Sequence, residues 1–318
     1  MKQYTVLVTG VGAIIGYGII NSLKMQKTYD IRIVGMDIYD DAYGQFLCDK
    51  FYIAERADSP NYLDFINKVV QEEGIDLIIP GIEQDMYRQH ELGTKVNTKV
   101  VLNNDLLIDL SKDKLKTFEY FKEKGLNVIP TLFEKDYDTY KAELGDPFLL
   151  KPRTSYASKG IHKIYNEEEY NFYNKHPENN IFQCIIGSES EEYTIGVFGD
   201  GLGGYSDYII LKRKLAQTGA TDKAVVIESD EPLMAYVNQI CNITKPLGPT
   251  NIQLRKEDGK MYLLEINPRI SSAASIRAFA GYNDSLKSVA LYLEGKHLPS
   301  EKKKLVHAVR FIGDYFYE

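Results

Sequence analysis

The first hundred residues limit most sharply what this chain can fold into. Residues 4–9 form a short apolar run without polar alternation, and residues 31–36 form a second one ended by Asp37. Between them, Gly10-Val-Gly12-Ala-Ile-Ile-Gly16 is a glycine-rich turn opening a helix that runs to about Lys27. Strands that are apolar throughout are buried on both faces, so this is a strand–helix–strand unit of a parallel sheet. A helical segment over 60–73, with Asn61 as a candidate cap, and apolar runs at 75–80 and 99–102 continue the alternation. The expectation is an α/β chain whose residues 1–104 form a Rossmann-like domain.

The glycine turn reads GxGxxxG rather than GxGxxG, and Asp37 lies about where a dinucleotide fold places its ribose-binding acid. A nicotinamide site is one reading. The plainer one is a first turn that lets the helix approach the sheet closely. Glu83 and Asp85 follow Pro80-Gly81 at a strand's C-terminal end, where open sheets bind ligands, but acids there also suit the start of a helix.

Composition removes several function classes. A net charge of −7 lacks the cationic excess of a general nucleic-acid binder. Three dispersed cysteines (Cys48, Cys184, Cys241) make no disulfide framework, and five scattered histidines make no zinc site. The N-terminal apolar run is broken by glycines, so it is read as a strand rather than a signal peptide. No apolar stretch has the length of a membrane span, and the expected location is cytoplasmic.

Beyond residue 104 the chemistry concentrates near the C-terminal end. Residues 249–254 and 261–266 are strand-like and flank Asp258-Gly259, a hairpin signal. Side chains at i and i+2 of a strand share a face, so Glu265 and Asn267 point the same way. Pairing about the turn brings Gln253 near Glu265. One carboxylate and two amide oxygens, with Arg269 beyond Pro268, suit a hard cation and phosphate rather than zinc. The plainer reading is a solvated edge strand. Upstream, Ser111 is a plausible cap for a helix over 114–124, and residues 146–152 are an apolar strand ending in Lys151-Pro152. The loop 153–161 is small and hydroxyl-rich with two cations. It suits phosphate contacts, but Lys159-Gly160 is also an ordinary turn. Residues 180–186, 193–198 and 208–212 read as strands, 218–222 as a mobile loop and 167–174 as a helix. Residues 232–244 read as a helix packing Leu233, Val237 and Ile240 on a sheet. The end holds helices at 276–280 and 285–293 and a strand candidate at 306–312.

In this order the features resemble the ATP-grasp superfamily, and within it proteins similar to the large chain of carbamoyl-phosphate synthetase. The resemblance spans nearly the whole chain. It implies a Rossmann-like pre-ATP-grasp domain, then an ATP-grasp domain over 105–318 whose small mobile lid subdomain covers about 128–183. It implies Lys114 and Lys151 on nucleotide phosphates, with Ser158, Lys159 and Gly160 in the loop over them. Gln183, Cys184, Ile185 and Ile186 would form the linker that reads adenine, although Gln183 stands where the family usually has Glu. Glu192 would bind ribose, with Glu189 or Glu191 as replacements. Gln253, Glu265 and Asn267 would bind Mg²⁺, with Mn²⁺ as an alternative, and Arg269 would contact the γ-phosphate or acyl-phosphate. Where synthetases carry a second Arg, Ser272 stands here, which argues against carbamoyl phosphate as product.

The implied activity is an ATP-dependent carboxylate–amine or carboxylate–thiol ligase acting on small molecules, with a homodimer as a candidate assembly and without nucleic-acid or membrane partners. The alternatives are an NAD(P)-dependent oxidoreductase or epimerase, and a non-catalytic nucleotide-binding protein. Ser271, Ser272, Ser275 and Arg277 are candidates for acceptor or acyl contacts, although the plainer reading of Arg277 is a solvated helix residue.

Overall fold

The computed structural model describes residues 1–155, 159–216, 221–311 and 314–316. Its first sheet follows from the uninterrupted apolar runs. The chain forms β1 (Gln3–Thr9), α1 (Ile14–Met25), β2 (Asp30–Asp37), β3 (Lys50–Ile53), α2 (Tyr62–Glu73), β4 (Leu77–Ile79), α3 (Glu83–Leu92) and β5 (Lys99–Val100). The strands lie in the order β3-β2-β1-β4-β5, all parallel. Leu7, Val34 and Ile78 pack with Ile66 and Val69 of α2 on one face. Val6, Val8 and Ile33 pack with Ile19 and Ile20 of α1 on the other. That second core also contains Ile270, Ala274, Val289 and Ala290, so the C-terminal end of the chain completes it. A buried Ser22–Ser285 hydroxyl pair at 2.6 Å marks the join.

The middle of the chain holds α4 (Asp105–Ser111), α5 (Lys114–Glu123), β6 (Thr131–Leu132), α6 (Tyr137–Leu144), β7 (Phe148–Pro152), β8 (His162–Ile164), α7 (Glu167–Tyr173) and β9 (Asn180–Gln183). Its four strands form a small antiparallel sheet, β6-β9-β7-β8. An aromatic cluster of Tyr140, Phe148 and Phe182 fills its core. The C-terminal part holds β10 (Glu192–Asp200), β11 (Tyr205–Leu215), β12 (Thr221–Ile227), α8 (Glu231–Thr244), β13 (Leu247–Glu257), β14 (Lys260–Asn267), α9 (Ala274–Phe279), α10 (Asp284–Glu294) and β15 (His307–Val309). Six strands run β14-β13-β10-β11-β12-β15. Period-2 alternation divides this sheet. Ile195, Val197, Ile252 and Leu254 bury against Leu233, Val237 and Ile240 of α8, as the helical pattern implies. The opposite face carries the polar residues of the site.

The structure moves several sequence-based boundaries. Ser111 does not cap α5, because it is the last residue of α4 and its hydroxyl bonds back to Ile108 O. Asp113 takes the cap, accepting from Leu115 N and Lys116 N. The strand expected over 180–186 ends at Gln183, and β12 already begins at Thr221, inside the stretch read as a loop. Residues 156–158, inside the expected loop 153–161, and residues 217–220 and 312–313, which overlap the expected loop 218–222 and strand 306–312, lie outside the described residues. Arg277 is fully buried rather than solvated, because α9 folds back beneath the sheet, where its Nη2 donates to Asn251 Oδ1 and Thr194 Oγ1.

Candidate active site

The hairpin places the chemistry. β13 and β14 pair antiparallel with Gln253 opposite Glu265 and Asn251 opposite Asn267, and the register shifts after Gln253. Neighbouring β10 puts Thr194 beside Gln253. Polar groups from three strands therefore share one sheet face. Their environments differ. Glu265 makes no hydrogen bond or ion pair with any described residue. Asn267 Oδ1 accepts from Arg269 Nη2 at 3.2 Å, while its buried Nδ2 has no partner among the described residues. Arg269 is held at each nitrogen: Nε and Nη2 donate to Glu83 Oε1 at 3.1 and 2.5 Å, and Nη1 donates to Ile270 O at 3.1 Å. Gln253 Oε1 accepts from Arg213 Nη2 at 2.7 Å.

Two cavities meet on this face. The larger, about 960 Å³, lies between the end of the parallel sheet and the hairpin, and is lined by Glu83, Asp85, Arg88, Arg213, Arg269 and Ser272 among others. Burial pushes the Asp85 carboxyl up to about 6, even though Tyr62 donates to it at 2.9 Å. The smaller, about 430 Å³, is lined by Lys151, Glu192, Arg255 and the segment 183–188. Lys114, Gln253 and Glu265 line both cavities, together with Ile161 and Leu215.

Two family models match the chain: a PylC-like N-terminal domain over residues 6–101, and an ATP-grasp in the biosynthetic pathway with Ter operon over residues 188–312. The chain thus carries an ATP-grasp region, matched over residues 188–312. Its relatives include the carbamoyl phosphate synthase large chain of Pseudothermotoga lettingae, 25% identical over 261 residues, covering 77% of this chain and 23% of that one. The D-alanine–D-alanine ligase of Rickettsia canadensis is 25% identical over 204 residues, covering 55% and 54%. The chain thus spans about a quarter of the length of the synthase chains it matches. Among solved structures, the Staphylococcus aureus N5-carboxyaminoimidazole synthetase complexed with ADP aligns at a TM-score of 0.74 and 19% identity, covering 96% of this chain and 81% of that chain. The Campylobacter jejuni biotin carboxylase–βγ-ATP complex aligns at 0.72 and 18%, covering 95% and 73%.

The other expected residues of the ATP-grasp site take up distinct positions. Lys114 begins α5 and its Nζ donates to Ser155 O at 2.9 Å and Ser155 Oγ at 3.0 Å. Burial lowers its pKa, opposed by the nearby Glu265 and Glu83 charges. Asp113, besides capping the helix, grips Arg153 Nη2 at 2.6 Å, which ties the start of the expected phosphate loop beside Lys114. Lys151 ends β7 against the smaller cavity. Desolvation, then the Arg255 and Lys114 charges, bring its pKa down to about 8. Gly160 adopts φ +76, and an added Cβ would meet Pro152 Cγ at 2.8 Å, so the turn requires glycine. Lys159 follows the undescribed stretch, and Ser158 lies outside the described residues.

Gln183 explains its departure from the family pattern. Its buried Nε2 donates to Thr131 Oγ1 at 2.8 Å, stitching β9 to β6. Cys184, Ile185 and Ile186 line the smaller cavity, and burial pushes the Cys184 thiol up to about 11, away from nucleophilic use. Glu192 also lines it, 5% exposed, but its carboxylate is already engaged. Oε1 accepts from Arg213 Nε and Nη2 at 3.1 and 2.9 Å, and Oε2 from Arg255 Nη2 at 3.1 Å. Of its expected replacements, Glu191 is paired with Lys212 at 2.7 Å. Sequence reasoning passed over Arg213 and Arg255. The signal available for Arg213 was its place two residues from Leu211 on the inward face of β11.

The donors suit Mg²⁺. A hard, strongly hydrated cation binds through one or two carboxylates plus substrate phosphates, keeping several waters. Glu265 supplies the unengaged carboxylate and Gln253 and Asn267 the adjacent amides. Among the described residues there is no group of three or more His, Cys, Asp or Glu that could hold a metal. The glycine turn offers nothing comparable. Asp37 Oδ2 accepts from Gly12 N at 2.8 Å and Oδ1 from Tyr39 N at 3.2 Å. A Cβ on Gly16 would sit 2.3 Å from Gly10 O. These glycines serve close packing.

Proposed function

We propose that this ATP-grasp chain is an ATP- and Mg²⁺-dependent ligase that activates a small carboxylic acid as an acyl-phosphate and passes the acyl group to an amine. The observation that carries this reading is the meeting of two cavities at Lys114, Gln253 and Glu265. A nucleotide in the smaller cavity, against Lys151 and the 183–188 segment, would direct its phosphates to that junction, and the acid would approach from the larger one.

The reaction needs charge neutralised more than it needs a nucleophile from the protein. A carboxylate oxygen attacks the γ-phosphorus and ADP leaves. The amine then attacks the acyl carbon, and phosphate leaves with the electron pair of the C–O bond. Mg²⁺ held by Glu265, Gln253 and Asn267 would supply charge for the β- and γ-phosphates. Lys114 and Lys151 would hold the phosphates by charge-assisted hydrogen bonds. Arg269, fixed by Glu83, would orient the transferred group. The walls of the cavities limit access of water to an acyl-phosphate.

The acid and amine are left open by this reading, and a two-fold dimer is compatible with it. Among the described residues no helix is long and apolar enough to cross a membrane. A thermal-shift panel of MgATP, MgADP, NAD and NADP tests the reading. Stabilisation by the magnesium nucleotides and none by NAD or NADP is expected; stabilisation by NAD alone would sink it. ADP release that appears only with a particular acid and amine would then separate a ligase from a silent nucleotide binder.

A further inference from the structure

We propose that Arg213 is a second guanidinium for the transferring γ-phosphoryl group, and that Glu192 is the positioning residue that aims it. This rests on the ligase reading above. The resemblance to synthetases leaves a gap, because Ser272 stands where they carry a second Arg, and Arg269 has all three nitrogens bonded within the protein. Arg213 has the opposite arrangement. Its Nε and Nη2 are held by Glu192 and Gln253, its residue exposure is 8%, and it lines the larger cavity. Nη1 has no hydrogen-bond partner among the described residues.

Charge counting points the same way. One buried carboxylate, Glu192, faces two guanidiniums, Arg213 and Arg255. Gln253, the other partner of Arg213, is neutral. The cluster therefore carries one uncompensated positive charge in a desolvated setting, which is costly unless an anion arrives. Arg255 donates its Nη1 to Ile186 O at 3.2 Å, at the smaller cavity, while its Nε is buried without a partner among the described residues. That leaves Arg213 facing the larger one, beside Gln253, opposite whose backbone position lies Glu265. An anion at the junction of the cavities, on the side away from the base and sugar, is the terminal phosphoryl group. A planar, pre-held guanidinium matches its oxygens better than a lysine would. Glu192, with both oxygens occupied, then acts through Arg213 rather than on ribose.

The test is calorimetric titration of the full chain with MgADP and with the magnesium complex of β,γ-imido-ATP, which adds the terminal phosphoryl group. Arg213→Met is expected to leave MgADP affinity within about threefold and to weaken imido-ATP by at least about tenfold, the value of one charged hydrogen bond. Arg213→Lys, which keeps the charge, should fall between, and carries the same contrast if the Met variant does not fold. Glu192→Gln should reproduce the selective loss. Equal losses for the two nucleotides, or none for either, would overturn the assignment while the ligase reading stands. A wild-type chain that binds neither nucleotide would instead remove the ligase reading.

Discussion

Two stretches of this chain look like nucleotide sites, and they differ in what their polar groups have left to do. The glycine turn after β1 is closed on itself. Asp37, at the end of β2, accepts from Gly12 N of that turn and from Tyr39 N of the loop after β2, and the space a side chain would fill at Gly16 is occupied by Gly10 O. The hairpin end at β13–β14 is open. Glu265 has no bonded partner among the described residues, Asn267 Nδ2 is buried and unpaired, and Lys114 and Lys151 stand in partly desolvated places. A fold leaves a buried polar group unsatisfied at a cost of about 1–3 kcal/mol, so such groups mark where a ligand completes the structure. By that criterion the glycines serve architecture and the hairpin serves chemistry.

The harshest attempt to break this contrast is Glu265→Ala. If the hairpin end is the working site, Mg-dependent ADP release should fall by about 10²–10³-fold, the usual range for losing a group that stabilises charge in the transition state. The melting midpoint of the ligand-free protein should hold, because Glu265 bonds to nothing that holds the fold. Unchanged turnover would return the hairpin to an ordinary solvated edge.

The next effect is on pH. Lys151 has its pKa brought down to about 8 by burial and by the Arg255 and Lys114 charges. Phosphate binding needs the ammonium form, so MgADP affinity should decline above pH 8, approaching tenfold per pH unit. Lys151→Arg should flatten that decline, since guanidinium stays charged. Folding stability has the opposite sign. The folded pKa lies below the unfolded value of 10.5, so between about pH 8 and 10.5 the unfolded chain binds more protons and this group's contribution becomes more favourable as pH rises. Binding and melting curves that moved in the same direction across that window would remove Lys151 from the phosphate site.

Much of this was legible in the chain because it depends on local period. The parallel sheet follows from runs such as 4–9 and 31–36, and counting outward from Asp258-Gly259 brings Gln253 to within one residue of Glu265, a gap that the register shift between Gln253 and Leu254 closes. What was not legible depends on residues brought together from afar. Glu192 reads as a free acid until Arg213, 21 positions on, and Arg255, 63 positions on, close over it. Arg277 reads as a surface residue on a short helix until the return of α9 beneath β10 buries it. There Gly196 makes room: an added Cβ would lie 2.8 Å from Arg277 Nη1. Glu83 belongs to the same class. In sequence it is an acid near a helix start, which it is, but its partner Arg269 lies 186 positions away. Strand alternation could have flagged Arg213 as an inward charge, but no local pattern names the partner of a buried charge.

The smallest expected effect probes the closed half of the comparison. Asp37→Ala removes the acceptor of Gly12 N and Tyr39 N from a residue that is 8% exposed. Leaving those donors short of a partner should cost about 1–3 kcal/mol of stability, read as a lower melting midpoint. Asp37 also faces the larger cavity, so an influence on the acid or the amine remains open to measurement. MgADP affinity is the discriminating readout: it should stay within about twofold of wild type, well under one hydrogen bond's worth. A large loss of nucleotide affinity on removing Asp37, without a matching loss of stability, would mean that the glycine turn binds nucleotide after all. The division of labour between the two ends of the cavity would then have to be reversed.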